Sequence, residues 1–306
     1  MANKSLPFRG GVGVGAADGV LGETSPTPSP SPQGEGGVAR DALATAAARL
    51  AFSDTPRLDA ELLLAHALGI ERGALLLDLE RAVPAGFADL VERRARHEPV
   101  AYITGTRGFW TIDVAVGSGV LVPRADSETL ILAARDHFAD RAPARVLDLG
   151  TGPGTLLLAA LDEWPGASGL GVDSSETALR YARSNAENLG LAARAAFVVG
   201  DWAEGIDDRF DLVLANPPYI ATGEALPAEV AGHEPAGALF AGVDGLDAYR
   251  AIVPMLSRLI APGGAAVIEI GYRQAAAVGA MLAAAGLSVA LHHDLGGRDR
   301  CLVATP

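Results

Sequence analysis

From Arg145 onward the chain alternates short, almost wholly apolar runs with amphipathic ones, and no other feature restricts its fold as much. The apolar runs lie at 144–149, 168–172, 195–200, 210–215, 264–270, 287–292 and 299–304, each of strand length. Helical patterns follow Asp126 and cover 155–163 and 175–189. A strand apolar on both faces needs helices on both sides, which predicts an α/β fold on a mostly parallel, seven-stranded sheet. Ligands of such sheets bind outside the carboxyl ends of the strands, and the informative motifs of this chain fall there.

The first motif is Arg145-Val146-Leu147-Asp148-Leu149-Gly150-Thr151-Gly152-Pro153-Gly154, a strand that runs into a glycine loop and then a helix. Glycines let a ligand approach the backbone closely. The next strand ends at Asp173, whose carboxylate can accept from both hydroxyls of a ribose. A third ends Val199-Gly200-Asp201-Trp202, an acid and an aromatic suited to an adenine, although Trp202 alone also reads as a packing residue. Asp148 and Asp173 read equally as helix-capping or solvated loop acids when taken singly. The dinucleotide fingerprint is G-x-G-x-x-G, whereas this loop has one residue fewer between its last two glycines. That spacing favours S-adenosylmethionine.

The second motif, Asn216-Pro217-Pro218-Tyr219, follows the strand Phe210–Ala215 directly. Two prolines fix their own φ and restrict the residue before each of them, so the loop is extended and rich in free carbonyls. Such a loop suits a planar NH2 group. The Asn216 side-chain oxygen and the Pro217 carbonyl can accept its two hydrogens, and Tyr219 offers a flat face for stacking. Asn216 and Pro217 are therefore the expected catalytic residues, and Asn216, Pro217, Pro218 and Tyr219 the expected substrate contacts. A plain turn that ends an edge strand is the simpler reading of the tetrapeptide alone.

Composition narrows the partners. A net charge of −13 opposes the attraction on which nonspecific nucleic-acid binding depends. No apolar run reaches the roughly 18 residues of a membrane span, and the N-terminus lacks the apolar core of a signal peptide. With Cys301 as the single cysteine, no intramolecular disulfide and no cysteine metal cluster can form. The expectation is a cytoplasmic monomer with no metal, no membrane contact and no stable nucleic-acid binding.

Residues 1–37 are Gly/Ser/Pro-rich, with Ser25-Pro26-Thr27-Pro28 within them, and are expected to form a disordered tail. From 38 to 98 the pattern is that of about four helices, clearest at Leu58, Leu62, Ala65 and Leu68 after the start signal Asp54-Thr55-Pro56. Residues 99–122 read as a β-hairpin linker punctuated by Gly105, Gly108, Gly117 and Gly119, and 123–306 as the catalytic domain.

Taken together, these residues resemble the class I S-adenosylmethionine-dependent methyltransferases, whose sheet is Rossmann-like, and within them the release-factor glutamine methyltransferases called PrmC or HemK. The resemblance covers roughly 54–303 and implies cofactor contacts from Gly150, Thr151, Gly152, Pro153, Gly154, Asp173, Trp202 and Asn216, with the substrate glutamine held by Asn216 to Tyr219. Beyond the two motifs it rests on Leu58-Asp59-Ala60-Glu61-Leu62-Leu63, Glu98-Pro99-Val100-Ala101-Tyr102-Ile103-Thr104-Gly105, Val122-Pro123-Arg124-Ala125-Asp126-Ser127-Glu128, His233-Glu234-Pro235 and Asp294-Leu295-Gly296-Gly297-Arg298. Pro153 departs from the small or hydroxylated residue usual there and removes one N–H from the loop. The resemblance implies N5-methylation of the glutamine in the Gly-Gly-Gln motif of class 1 peptide-chain release factors, with 38–98 as the part that recognises the protein substrate. Methylation of a ribosomal-protein glutamine or of adenine N6 in nucleic acid remains the alternative.

Overall fold

The computed structural model describes residues 37–306, so the expected tail falls, Gly37 apart, outside the described residues. The first elements are helices: α1 (Ala39–Arg49), α2 (Pro56–Leu68), α3 (Arg72–Leu77), α4 (Phe87–Ala95) and α5 (Val100–Thr104). α2 starts on Pro56, where a missing N–H is harmless, and stops at Gly69 with φ 64°. Its packed face matches the expected one only in part, with Ala65 buried. Leu58 is exposed and Leu62 and Leu68 are half-buried, while Ala60, Leu63 and Leu64 turn inward together with Asp59 and Glu61. Those two acids are buried because each is paired: Asp59 with Arg94 of α4 at 2.8 Å, and Glu61 with Arg57 and Arg72 at 2.7 Å each. Hydrophobic spacing alone misplaces the face of such a helix.

Val100–Thr104 is helical where β alternation was expected, running from Pro99 to Gly105 at φ 80°. The antiparallel hairpin is correspondingly short: β1 (Thr106–Phe109) and β2 (Ile112–Ala115).

The remaining chain runs α6 (Glu128–Phe138), β3 (Arg145–Leu149), α7 (Thr155–Glu163), β4 (Ser168–Asp173), α8 (Glu176–Asn188), β5 (Ala195–Val199), β6 (Phe210–Ala215), α9 (Ala228–His233), α10 (Asp247–Leu259), β7 (Ile260–Glu269), α11 (Ala275–Ala284), β8 (Ser288–His293) and β9 (Asp299–Thr305). All seven expected strands join one sheet, in the order β5-β4-β3-β6-β7-β9-β8. Neighbours are parallel from β5 to β7, and β9 is antiparallel to both of its neighbours. Along β6, Leu212 and Leu214 enter one core with α6, α7 and α8, while Val213 and Ala215 enter the other with α10 and α11. This two-sided burial is what the apolar runs encode. The sequence pattern did not place α9, α10 or α11.

Chain order positions the site. From β3 the chain builds outward through β4 and β5, then crosses to β6 on the other flank of β3. Connections on either side of the β3–β6 junction therefore leave in opposite directions, which opens a crevice at the carboxyl ends.

Candidate active site

The loop after β3 turns at once, with Gly150, Gly152 and Gly154 at φ 73°, 56° and 86°. Side chains rarely tolerate this left-handed backbone. A Cβ on Gly154 would come within 2.9 Å of Leu158 Cδ1, so that glycine serves the packing of α7. Around Gly152 the same position meets nothing within 4 Å, leaving open space on the side of the cavity that it lines.

Asp173 at the end of β4 holds this loop in place. Its Oδ2 accepts from the Gly152 N–H and its Oδ1 from the Ser175 N–H, both at 2.8 Å. Ser175 in turn caps α8 by accepting from the Ala178 N–H at 3.2 Å. Beneath the loop, Asp148 accepts from Thr151 Oγ1 at 2.6 Å and from the Leu157 N–H at 3.2 Å. Its other oxygen is buried and has no hydrogen-bond partner among the described residues. Burial pushes the Asp148 carboxyl up to about 7, the Thr151 and Leu157 hydrogen bonds hold it back, and the nearby Asp173 charge adds to the rise.

Trp202 follows β5 with φ 48°, a strained conformation for a bulky residue. Its ring reaches to 3.3 Å of where a Gly150 Cβ would stand, so the aromatic lies over the glycine turn.

A cavity of about 280 Å³ gathers these parts. Gly150, Thr151, Gly152, Pro153, Asp173, Trp202, Asn216 and Pro218 line it. Gly154, Pro217 and Tyr219 do not. Gly154 faces the helix packing, Pro217 is buried, and the Tyr219 ring packs on the core beside α10 and α11. The Tyr219 hydroxyl is pushed up to about 12, first by burial and then by the neighbouring Glu269 charge.

Asn216 donates through Nδ2 to Ser127 Oγ at 3.1 Å, which leaves its Oδ1 as an acceptor. Ser127 also lines the cavity, in the turn Ala125–Ser127 that precedes α6. Arg124 lines it too and pairs with buried Glu234 at 2.6 Å. Burial raises the Glu234 carboxyl, and Arg124 opposes that rise. Sequence reasoning assigned no role to Ser127, Arg124 or Glu269. A signal for Glu269 did exist, as a single acid at the end of an otherwise apolar strand.

The PrmC N-terminal domain family matches residues 41–105, and the Methyltransferase domain family matches residues 141–281. The release factor glutamine methyltransferase of Rhodospirillum rubrum is 44% identical over 263 residues, covering 84% of this chain and 81% of its own. That of Caulobacter vibrioides is 45% identical over 258 residues, with 82% and 89% covered. The chain belongs to the release factor glutamine methyltransferase family. The likeness extends to the family member of Mycolicibacterium smegmatis, 39% identical over 275 residues, with 87% of this chain and 97% of that one covered. In this release factor glutamine methyltransferase family chain, the matched methyltransferase stretch includes every cavity residue from Asp148 to Ala238, while Arg124 and Ser127 lie between the two matched stretches. No described helix is long and apolar enough to cross a membrane.

Proposed function

We propose that this protein methylates the side-chain nitrogen of the glutamine in the Gly-Gly-Gln motif of a class 1 peptide-chain release factor, with S-adenosylmethionine as donor. The observation that carries the reading is Asn216, on the cavity wall with Nδ2 engaged and Oδ1 left to accept. The residues present fit the donor. Gly152 leaves space for close backbone approach, and the unpartnered Asp148 oxygen suits a cationic ligand. Gly150, Thr151, Gly152, Pro153, Asp173 and Trp202 would hold it, with Asp173 toward the ribose and Trp202 toward the adenine. When bound, S-adenosylmethionine supplies an electrophilic methyl group on a positively charged sulfur.

The protein's own residues then have a positioning task. Asn216 Oδ1, on the cavity wall, accepts one hydrogen of the substrate amide and turns the nitrogen toward the donor. The Pro217 carbonyl, expected as the second acceptor, belongs to a buried residue off the cavity lining. An amide nitrogen is a weak nucleophile, so alignment within a closed site supplies most of the rate. The helical segment 38–98 is assigned to recognition of the release factor, since it adds surface beside the site and no chemistry.

The experiment is transfer of labelled methyl from S-adenosylmethionine to a purified class 1 release factor, to the same factor with the Gly-Gly-Gln glutamine replaced, to ribosomal protein and to nucleic acid. Label confined to the intact factor supports the reading. Label on ribosomal protein or nucleic acid overturns it.

A further inference from the structure

We infer that three exposed apolar side chains, Val243, Tyr272 and Leu295, form a docking stripe for the release factor, separate from the helical segment, against the surface that flanks its Gly-Gly-Gln loop. The inference rests on the release-factor reading given above. A single exposed apolar residue is ordinary on a protein surface. Here Leu295 is fully exposed, Val243 is 89% and Tyr272 52% exposed, and all three sit on one end of the sheet. Tyr272 follows the carboxyl end of β7. β9 runs antiparallel to β7 with Cys301 opposite Glu269, so the turn that precedes β9 and carries Leu295 rises at that same end, where the cavity lies.

The three tips come from connections tied side by side. Gln274 donates to the Gly245 carbonyl at 3.1 Å, which sets the loop carrying Val243 beside the segment carrying Tyr272. The Ile270 N–H donates to the Arg300 carbonyl at 2.8 Å, which sets that segment beside the Leu295 turn. Arg300 in turn bridges Asp294 of the turn and Asp126, both at 3.0 Å. Asp126 adjoins Ser127, which lines the cavity. One arginine therefore joins the stripe to the cavity rim.

A floppy turn would gain little from an apolar tip, because docking would have to order it. The Leu295 turn is already ordered. Asp294 Oδ1 accepts from the Gly296 and Arg298 N–H groups at 2.9 and 3.0 Å, and the Gly297 N–H donates to the Asp294 carbonyl at 2.9 Å. Tyr272 is steadied as well, with the Arg273 guanidinium 4.9 Å from its ring centroid. Rigid apolar anchors of this kind carry a large share of the binding energy in protein interfaces. The occupant follows from the cavity: a glutamine within a protein loop reaches Asn216 only when the surface around that loop comes down on the rim.

The test compares kcat and KM for a purified class 1 release factor, with S-adenosylhomocysteine affinity and sedimentation of the chain alone, in the full chain and its variants. Leu295→Asp should raise KM by about tenfold or more while kcat and cofactor affinity stay within about twofold, because an anchor and not the site is lost. Val243→Asp should act in the same direction, and Leu295→Met, which keeps the tip apolar, should keep KM. An unchanged KM in both aspartate variants overturns this inference and leaves the release-factor reading standing. No methylation of the factor by the unaltered chain overturns that reading and this inference with it. A fall in cofactor affinity as large as the rise in KM marks damage to the site and overturns the inference. So does a dimer of the unaltered chain that Leu295→Asp dissociates, since the stripe then belongs to a second copy.

Discussion

Asn185 of α8 donates through Nδ2 to the Pro153 carbonyl at 2.9 Å, tying the glycine loop to the helix below it. The same side chain grips the hairpin, accepting from the Ala115 N–H at 2.7 Å and donating to the Ala115 carbonyl at 3.1 Å. Pro153 has no N–H of its own to fix the loop, so its carbonyl is the remaining handle. Asn185→Leu strands the half-buried N–H and carbonyl of Ala115 and the buried carbonyl of Pro153, a buried group costing about 1–3 kcal/mol when unpaired. The expected result is a lower urea midpoint and several-fold weaker S-adenosylmethionine affinity, read by equilibrium unfolding and calorimetry.

Asn216→Ala should lower turnover by about 10²-fold while cofactor affinity changes by less than about threefold, because a small misplacement at the reacting atom is amplified in rate. Methyl transfer and cofactor titration on the same preparation check both halves.

The stability of the apoprotein should fall as pH rises toward neutrality. Asp148 titrates near 3.8 when unfolded and is pushed up to about 7 in the fold, so between these values the folded state holds the extra proton. Stability is therefore lost as pH rises through that window and levels off above it. Glu269, pushed from 4.5 to about 7 chiefly by burial, acts in the same direction, with Arg300 opposing and Asp126 adding to its rise. Asp148→Asn should remove part of the slope, measured as unfolding free energy from pH 4 to 8.

Arg94 is buried and bridges Asp59 at 2.8 Å and Glu229 at 2.6 Å. Arg94→Met leaves Asp59 buried without its cation and should destabilise the protein by about 3–5 kcal/mol. Glu229 is 40% exposed, so Glu229→Ala should change stability by at most about 1 kcal/mol. Denaturant titration of the two variants side by side tests the contrast.

Gln274 uses its whole side-chain amide on backbone and tyrosine groups. Nε2 donates to the Tyr219 and Gly245 carbonyls at 3.0 and 3.1 Å, while Oε1 accepts from the Gly271 N–H at 2.9 Å and the Tyr249 hydroxyl at 3.3 Å. Gln274→Ala should loosen the segment that follows Pro217-Pro218 and lower kcat more than cofactor affinity. Steady-state kinetics beside cofactor titration measures it.

The sheet was legible because its central strands are apolar on both faces, as Leu212 to Ala215 show, and no other arrangement buries such runs. The loop glycines and Asp173 were legible because their spacing is local. Ser127 was not, since it meets Asn216 only when the turn before α6 comes against the end of β6, 89 residues further along the chain. The inward face of α2 was hidden for another reason: its buried acids depend on arginines that lie elsewhere in the chain. α11, nearly uniform in alanine, offers too little contrast between its sides to be read as amphipathic.

β9 lies between β7 and β8 although it follows both in the chain. During synthesis β8 therefore has no place on the sheet until residues 299–305 have left the ribosome, and β7 stays an open edge until then. Arg300 arrives on the same strand, so Asp126 gains its cation in the step that closes the sheet. The nascent enzyme should remain dependent on protection of that edge until its final strand is released.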